Sequence, residues 1–542
     1  MTLSSDSFPS LESEYYLENL ERLFETVESV YRDLLTIEEM QFLFQWNLLP
    51  RKSKMLYARL IARKGNYFRV SKLSYKEIGN IEEAARSLLS CGLLSIEFLG
   101  EPFELLSLFT KDEILRVGLD LGVIPLEIRS SRKDQIINLL STEDLVIGKL
   151  KESHQIYTIL MKHLLDHFLL LYFGNCRQDL TSFILSQLGI QKHEAYIFSE
   201  STRLFNCRED IEMMLKLKRA SDTLAWANSH QLDSEIEGLL DLVVSFKENK
   251  NLSIAKRQGR LCNHLGKFYE RTGQQEKALK CYQKTSLPPS RERQARLLKK
   301  HSCVKEYDKL LQEMAESSQS PEEWYFSMDT REKQRWRRKL DKESVVLEYR
   351  GSVEEAASHF IGGTCFFSEN LLWQSLLGLS IWDIIYSPVE GAFVNAYQLG
   401  PLDLNDPHFY SKRQQEIENR LSFIKNDPDW SEKVMETWNK KHGLANALVH
   451  WNYLDTVPFQ MVLDSIPGLV FSQIFRRMLS HLRVYRTGFP DLIDVGNPES
   501  DHPFELIEVK GPGDQLRPNQ LAWLYFFQNK GIPARILQVI KK

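Results

Sequence analysis

The chain has 542 residues, of which 43% are hydrophobic and 26% charged, ordinary for folded protein and enough for three or four domains at about 150 residues each. That composition excludes a disordered, collagen-like or coiled-coil chain, and the opening MTLSSDSFPSLESEYYLENLE lacks the basic and apolar regions of a secretory signal. The net charge of −4 argues against nucleic acid only until its distribution is read. Ser4 to Glu39 carries ten acids against Arg22 and Arg32, whereas Arg51 to Lys76 carries nine bases and no acid.

That basic run, including Arg51, Lys52, Lys54, Arg63, Lys64, Arg69 and Lys72, is interleaved with Tyr57, Tyr67, Phe68 and Tyr75. Such a mix tracks phosphates and stacks bases, so these seven bases are candidate DNA contacts. Residues 15–100 predict several helices, with NYFRVSKL at 66–73 as the wing of a hairpin. A basic, winged-helix-like DNA-binding domain over residues 1–105 follows. At 108–140 two short amphipathic helices are predicted, the first opened by a Thr110/Glu113 capping box and closed by Gly122. This pair, bounded as 106–142, is similar to a SAP motif, a small DNA-binding helical hairpin.

The most apolar stretch, 155–173, contains Lys162, His163, Asp166 and His167 and is too polar to span a bilayer, so no membrane partner is expected. The two histidines lie one turn apart, but Leu164 stands where a His-Glu-x-x-His zinc site needs glutamate. The seven cysteines occur singly with no Cys-x-x-Cys, which predicts a reducing, cytoplasmic setting and no structural zinc.

Residues 143–345 read as almost wholly helical. HLGKFYERTGQQEKALKCYQKT at 264–285 looks like a tetratricopeptide unit, with Gly266 and Ala278 small enough for close packing and Leu265, Tyr269 and Tyr282 filling between. The surrounding stretch, Lys256 to Lys300, holds thirteen bases against three acids, which suggests a phosphate-binding surface on a repeat array. Gly362-Gly363 and Gly511-Pro512-Gly513 read as turns, since neither is followed by the Lys-Ser/Thr of a phosphate loop.

The last segment, 488–540, predicts strand 489–495, a turn, strand 504–510, a helix from Pro518 to Gly531 and strand 534–540. Strand alternation puts Phe504, Leu506, Glu508 and Lys510 on one face. A buried carboxylate costs several kcal/mol unless paired or bound to metal, so Glu508 needs a partner, and Asp491 on the adjoining strand is within reach. Asp491, Glu508 and the Val509 carbonyl form a hard-oxygen site suited to Mg²⁺, and Lys510 is placed to orient or help deprotonate an attacking water. The same pattern also fits an exposed Glu508–Lys510 ion pair.

Pro490-Asp491 followed by Glu508-Val509-Lys510 is the signature of restriction-endonuclease-like nucleases. With GFPDL, VKGP, Asp514, Leu516 and Gln520 it resembles the VRR-NUC domain. In the order YYLENLERLF, 56–78, the helical hairpin, FILSQLGIQKHEAY, 264–285, WDIIY and EVKGPGD, the chain resembles the Fanconi-associated nuclease family, without the ubiquitin-binding zinc finger of its vertebrate members. The resemblance implies a mainly α, multidomain protein with a C-terminal α/β restriction-endonuclease-like core (VRR-NUC domain, 346–542). It further implies a Mg²⁺- or Mn²⁺-dependent endonuclease and 5′-exonuclease on 5′-flap and branched double-stranded DNA in interstrand crosslink repair, nucleoid-associated or nuclear according to the host cell. Asp491 and Glu508 then take the metal and Lys510 the catalytic lysine position. Glu369 matches a further acidic ligand, with a helix-capping role as its alternative, and Gln520 matches the family's glutamine on the following helix. Arg483 and Arg486 match or neighbour phosphate contacts, although Asn519 stands where the family has lysine. A reader of 5′ ends needs a pocket for the terminal phosphate, for which Arg291, Arg293 or Arg296 with Arg483 and Arg486 are the candidates. Competing readings are a Holliday-junction or general branched-DNA endonuclease, and a non-catalytic DNA-binding repeat scaffold.

Overall fold

The computed structural model describes residues 14–542 except 176–177, 179–191, 198, 231–232, 248, 250, 318–319 and 496–501. Most of FILSQLGIQKHEAY and part of the turn after residue 495 therefore lie outside the described residues. Chain contacts define two units, Met1–Ile190 with Phe205–Ile211, and Gln191–Leu204 with Glu212–Lys542.

In the first unit the helices Tyr15–Tyr31, Ile37–Leu48, Arg51–Ile61 and Ile81–Ser90, of which Arg51–Ile61 is basic, surround an aromatic core of Phe24, Phe42, Trp46, Tyr57 and Phe168. The wing departs from the expected local hairpin. β1 (Tyr67–Arg69) turns directly into a short 3-10 segment at Val70–Lys72. It therefore pairs not with its neighbour but with β3 (Ile156–Ile159), which is flanked on its other side by β2 (Leu94–Ser95). The Ile-Tyr-Thr-Ile run of β3, read from sequence as helix, is buried at all four positions, and burial among neighbouring strands decides it. The helices Lys111–Asp120 and Lys133–Leu140 form as predicted, with the Thr110/Glu113 capping box and Gly122 at φ +67°. They share one core through Ile114, Ile124, Ile136 and Leu140.

Glu39 is wholly buried in this unit, yet it is ionised against His167 Nδ1 at 2.7 Å and the Arg208 guanidinium at 2.7 Å. Burial alone pushes its carboxyl up, but the hydrogen bonds from His167 and Arg208 outweigh that and hold it down at about 2. His163 faces Glu38 at 3.3 Å.

The second unit contains the predicted helical hairpin, Leu252–Arg271 and Gln275–Gln283. Gly266 is indispensable there, since a Cβ would lie 2.6 Å from the Tyr282 ring. The remaining strands are β4 (Lys192–His193), β5 (Lys342–Leu347), β6 (Phe366–Phe367), β7 (Leu444–Ala445), β8 (Leu492–Val495), β9 (Phe504–Lys510) and β10 (Ala534–Lys541). β4 and β7 form a short ladder, and the others make a five-stranded sheet of order β5-β10-β9-β8-β6. β8–β9 and β6–β8 are antiparallel, whereas β9, β10 and β5 run parallel.

One face of this sheet, with Ile507, Val509, Leu537 and Val539, packs on the helix Val353–Ile361. The other, with Ile493, Phe504 and Leu506, joins the large core around Trp373, Phe489 and Trp523. The four elements read at 488–540, three strands and a helix, are observed, while β5 and β6 fall in segments that had no strand signal. No helix among the described residues is long and apolar enough to cross a membrane.

Candidate active site

The approach to β8 is fixed before any charge is placed. Gly488 has φ +92° and passes so close to Asn519 that a Cβ would lie 2.8 Å from its backbone. Phe489 then stacks between Trp373 at 5.3 Å and Trp523 at 4.1 Å, which belong to the helices Glu369–Ser380 and Pro518–Lys530. These aromatic contacts tie together the segments carrying Asp491, Glu369 and Gln520.

Asp491 sits one residue beyond the Leu492–Ile507 pair and so faces Glu508 at the end of the ladder. Its Oδ2 accepts from the Val509 amide at 2.9 Å. Its backbone carbonyl accepts from the amides of Ser368 at 3.0 Å and Glu369 at 3.3 Å. Glu369, with φ +24°, opens its helix as an exposed residue at the same strand end.

Glu508 is wholly buried and Lys510 nearly so, with Lys510 Nζ 2.6 Å from Glu508 Oε1. Neither Glu508 oxygen otherwise finds a hydrogen-bond partner. Burial pushes the Asp491 carboxyl up to about 6, and burial together with the Asp491 charge pushes Glu508 higher still. The charge of Glu369 acts on both. A fourth carboxylate, Glu354 at the start of the helix Val353–Ile361, also acts on Asp491. The sequence reading missed Glu354, because GSVEEAASHF carries no motif and only the fold brings that helix under β8.

Among the described residues no three acidic, histidine or cysteine side chains already converge as metal ligands. The donor chemistry nevertheless fits a divalent cation: the buried Glu508, whose oxygens lack hydrogen-bond donors, the half-buried Asp491 facing it and a carbonyl beside them are what Mg²⁺ or Mn²⁺ binds. Gln520 spends its side-chain oxygen on the Arg517 amide at 3.0 Å, capping the helix.

A cavity of about 790 Å³ in this unit is lined by Lys256, Lys284, Glu292, His481, Arg483 and Asn519 among others. Arg483 was expected at such a pocket, but its basic companions are lysines. Arg291 is turned away, its buried guanidinium bound to Glu323 at 2.6 Å and the Ser317 carbonyl at 2.7 Å. Arg293 pairs with Glu270, Arg296 is exposed beside Glu292, and Arg486 does not line the cavity. All four thus differ from expectation, and for Arg291, Arg293 and Arg296 the reason is a nearby glutamate, Glu323, Glu270 or Glu292, that pairs with the arginine.

The N-terminal bases divide similarly. Lys52, Lys64 and Lys72 are exposed, and the exposed Arg63 reaches the Tyr75 hydroxyl at 3.2 Å and lies over the Phe68 ring at 5.3 Å. Arg51 pairs with Glu14 and Lys54 with Glu21. Arg69 is buried, bonded to Glu113 at 2.8 Å and stacked on Phe109 at 4.2 Å, so it joins the wing to the next helix and has no surface left for phosphate.

The strand order, the Pro-Asp heading one strand and the Glu-x-Lys closing its antiparallel partner define a DNA nuclease of restriction-endonuclease-like fold. Residues 14–95 match the family model "FAN1, HTH domain" and residues 426–541 the "VRR-NUC domain". The Fanconi-associated nuclease 1 homolog of Pseudomonas aeruginosa is 28% identical over 97% of this chain and 95% of its own. The Arabidopsis thaliana homolog is 24% identical over 98% of this chain and 67% of its own. The mouse Fanconi-associated nuclease 1 is 36% identical over 35% of this chain and 19% of its own. The crystal structure of paFAN1 bound to 2nt 5'flap DNA with gap aligns with a TM-score of 0.83 at 27% identity, covering 98% of this chain and 100% of that one. Over nearly its whole length the chain is similar to Fanconi-associated nucleases, and its two matched segments correspond to the HTH and VRR-NUC domains.

Proposed function

We propose that this nuclease cuts the 5′-flap strand of branched DNA near its junction, with 5′-exonuclease action, and serves interstrand crosslink repair. The observation that carries the chemistry is the buried Glu508 facing Asp491, with Lys510 Nζ 2.6 Å away. The substrate class is supported by the full-length similarity to structures of paFAN1 holding 1nt and 2nt 5'flap DNA with gap.

Asp491, Glu508, the Val509 carbonyl and Glu369 are the groups for Mg²⁺ or Mn²⁺. When bound, such an ion stabilises negative charge on the phosphoryl oxygens and acidifies a water. The Val509 amide holds Asp491 in one orientation, so its free oxygen stays directed at the site. Lys510 orients the attacking water and stabilises charge on the scissile phosphate. Gln520 positions the helix that borders the site. The pocket of Lys284 and Arg483 takes the 5′-terminal phosphate, with Lys256 held by buried Asp406 at its wall, and its distance from Asp491 sets the cut site, since one strand spans both. Lys52, Arg63, Lys64 and Lys72 hold duplex DNA. We assign residues 1–105 to a basic winged domain, 106–142 to the SAP-like hairpin, 143–345 to tetratricopeptide-like repeats and 346–542 to the nuclease, acting where the cell keeps its DNA.

The test is a panel of labelled 5′-flap, nicked, four-way and plain duplex DNAs with Mg²⁺, Mn²⁺ or neither. Preferred cutting of the flap supports the reading, and preferred cutting of the four-way junction replaces it with the Holliday-junction alternative.

A further inference from the structure

The helix Thr330–Lys339, TREKQRWRRK, carries Arg331, Lys333, Arg335, Arg337, Arg338 and Lys339 against the single Glu332. Its sequence lies outside both basic runs read above. Arg337, Arg338 and Lys339 sit in the last turn, where positive charge is favoured by the helix dipole. The dipole does not account for Arg331 and Lys333, which stand near the N-terminus, where it opposes them. Glu332 is occupied in a capping box with Asp329. Among the described ion pairs none involves Arg331, Arg335, Arg338 or Lys339, and all four are exposed.

The helix is held by its other side. Trp336 packs edge-on against Trp324 at 5.4 Å and touches Tyr525 of the helix Pro518–Lys530. Gln528 of that helix donates to the Lys339 carbonyl at 2.5 Å. Arg331, Arg335 and Arg338 have the i, i+4, i+7 spacing of one helix stripe, well away from Trp336. At 1.5 Å per residue the stripe is about 10 Å long, roughly three phosphate steps of one strand.

The chain then enters β5 at Lys342. Strand register puts Lys342 beside Ile536 and Ile536 beside Glu508, on one face of the sheet. Lys342 is therefore two strand spacings, about 10 Å, from the catalytic glutamate. The next row joins Ser344, Gln538 and Lys510. Farther along this face Val346 is 58% and Ile540 48% exposed, so it opens to solvent beside the active site.

We infer that Arg331, Arg335, Arg338 and Lys342 form a track for the DNA backbone, leading from the active site across the β5 edge. The inference rests on the nuclease reading and adds a contact surface to it. Backbone contacts of this kind carry no sequence information and fix where the duplex lies.

The test uses the full chain and a fluorescent 5′-flap DNA in EDTA, with anisotropy read across a salt series. Replacing Arg331, Arg335 and Arg338 with Ala is expected to weaken binding about tenfold at moderate salt and to lower the slope of log K against log salt by about 2 to 3. The corresponding triple Lys variant is expected to keep wild-type affinity and slope, and melting temperatures are expected to be unchanged. Wild-type affinity and slope in the triple Ala variant overturn the track, and so does equal loss in the triple Lys variant. Absence of flap cleavage by wild type counts against the proposed function, whereas the binding series judges the track alone.

Discussion

The amide of Val509 donates to Asp491 Oδ2 at 2.9 Å. The β9 strand that carries Glu508 and Lys510 on one side therefore grips the facing aspartate through the backbone residue between them. The three groups are a rigid set: shifting β9 by one residue breaks the amide contact and moves Glu508 to the opposite face.

Glu369 and Glu354 are expected to assist from outside that set. Glu369→Gln and Glu354→Gln should each raise the Mg²⁺ concentration needed for half-maximal cutting severalfold, with unchanged melting temperature. A melting temperature lowered with no change in metal dependence would assign Glu369 to the helix end alone.

Reading of the 5′ end is expected to depend on Arg483 and Lys284. Wild type should cut 5′-phosphorylated flaps faster than matched hydroxyl-ended flaps, and Arg483→Ala with Lys284→Ala should remove most of that preference. Arg291→Ala should instead destabilise the fold by about 3 kcal/mol, because it strands buried Glu323.

The N-terminal bases should separate into two behaviours. Alanine at Lys52, Arg63, Lys64 and Lys72 together should lower the salt slope of duplex binding by roughly 0.9 per lost phosphate contact, with normal stability. Arg69→Ala should lower stability by about 2 kcal/mol by denaturant titration.

Glu39 makes the first unit acid-sensitive. Its carboxyl sits at about 2 in the folded chain against an ordinary 4.5, so its stabilisation is complete above about pH 4.5 and is lost as pH falls toward 2. Glu39→Gln should cost about 2 kcal/mol at pH 7. Measured at pH 3, the difference between wild type and variant should shrink.

Local signals were legible in the sequence: the Thr110/Glu113 cap, Gly266 against Tyr282, and the β8–β9 hairpin with its Asp491 and Glu508 facing each other. What escaped depends on partners distant in the chain. β1 finds β3 almost ninety positions later, and β5 pairs with β10 at the other end of the nuclease core. Arg69 and Arg291 looked like surface charge because nothing local announces Glu113 or Glu323. Glu354 was invisible for the same reason.

Single-turnover cleavage of a 5′-flap in Mg²⁺ by wild type, Asp491→Asn and Lys510→Ala, alongside binding of the same DNA in EDTA, tests the central claim most directly. The account predicts at least about a hundredfold loss of rate in both variants, with dissociation constants within a few-fold of wild type. Metal-dependent cutting at wild-type rate by either variant would contradict it.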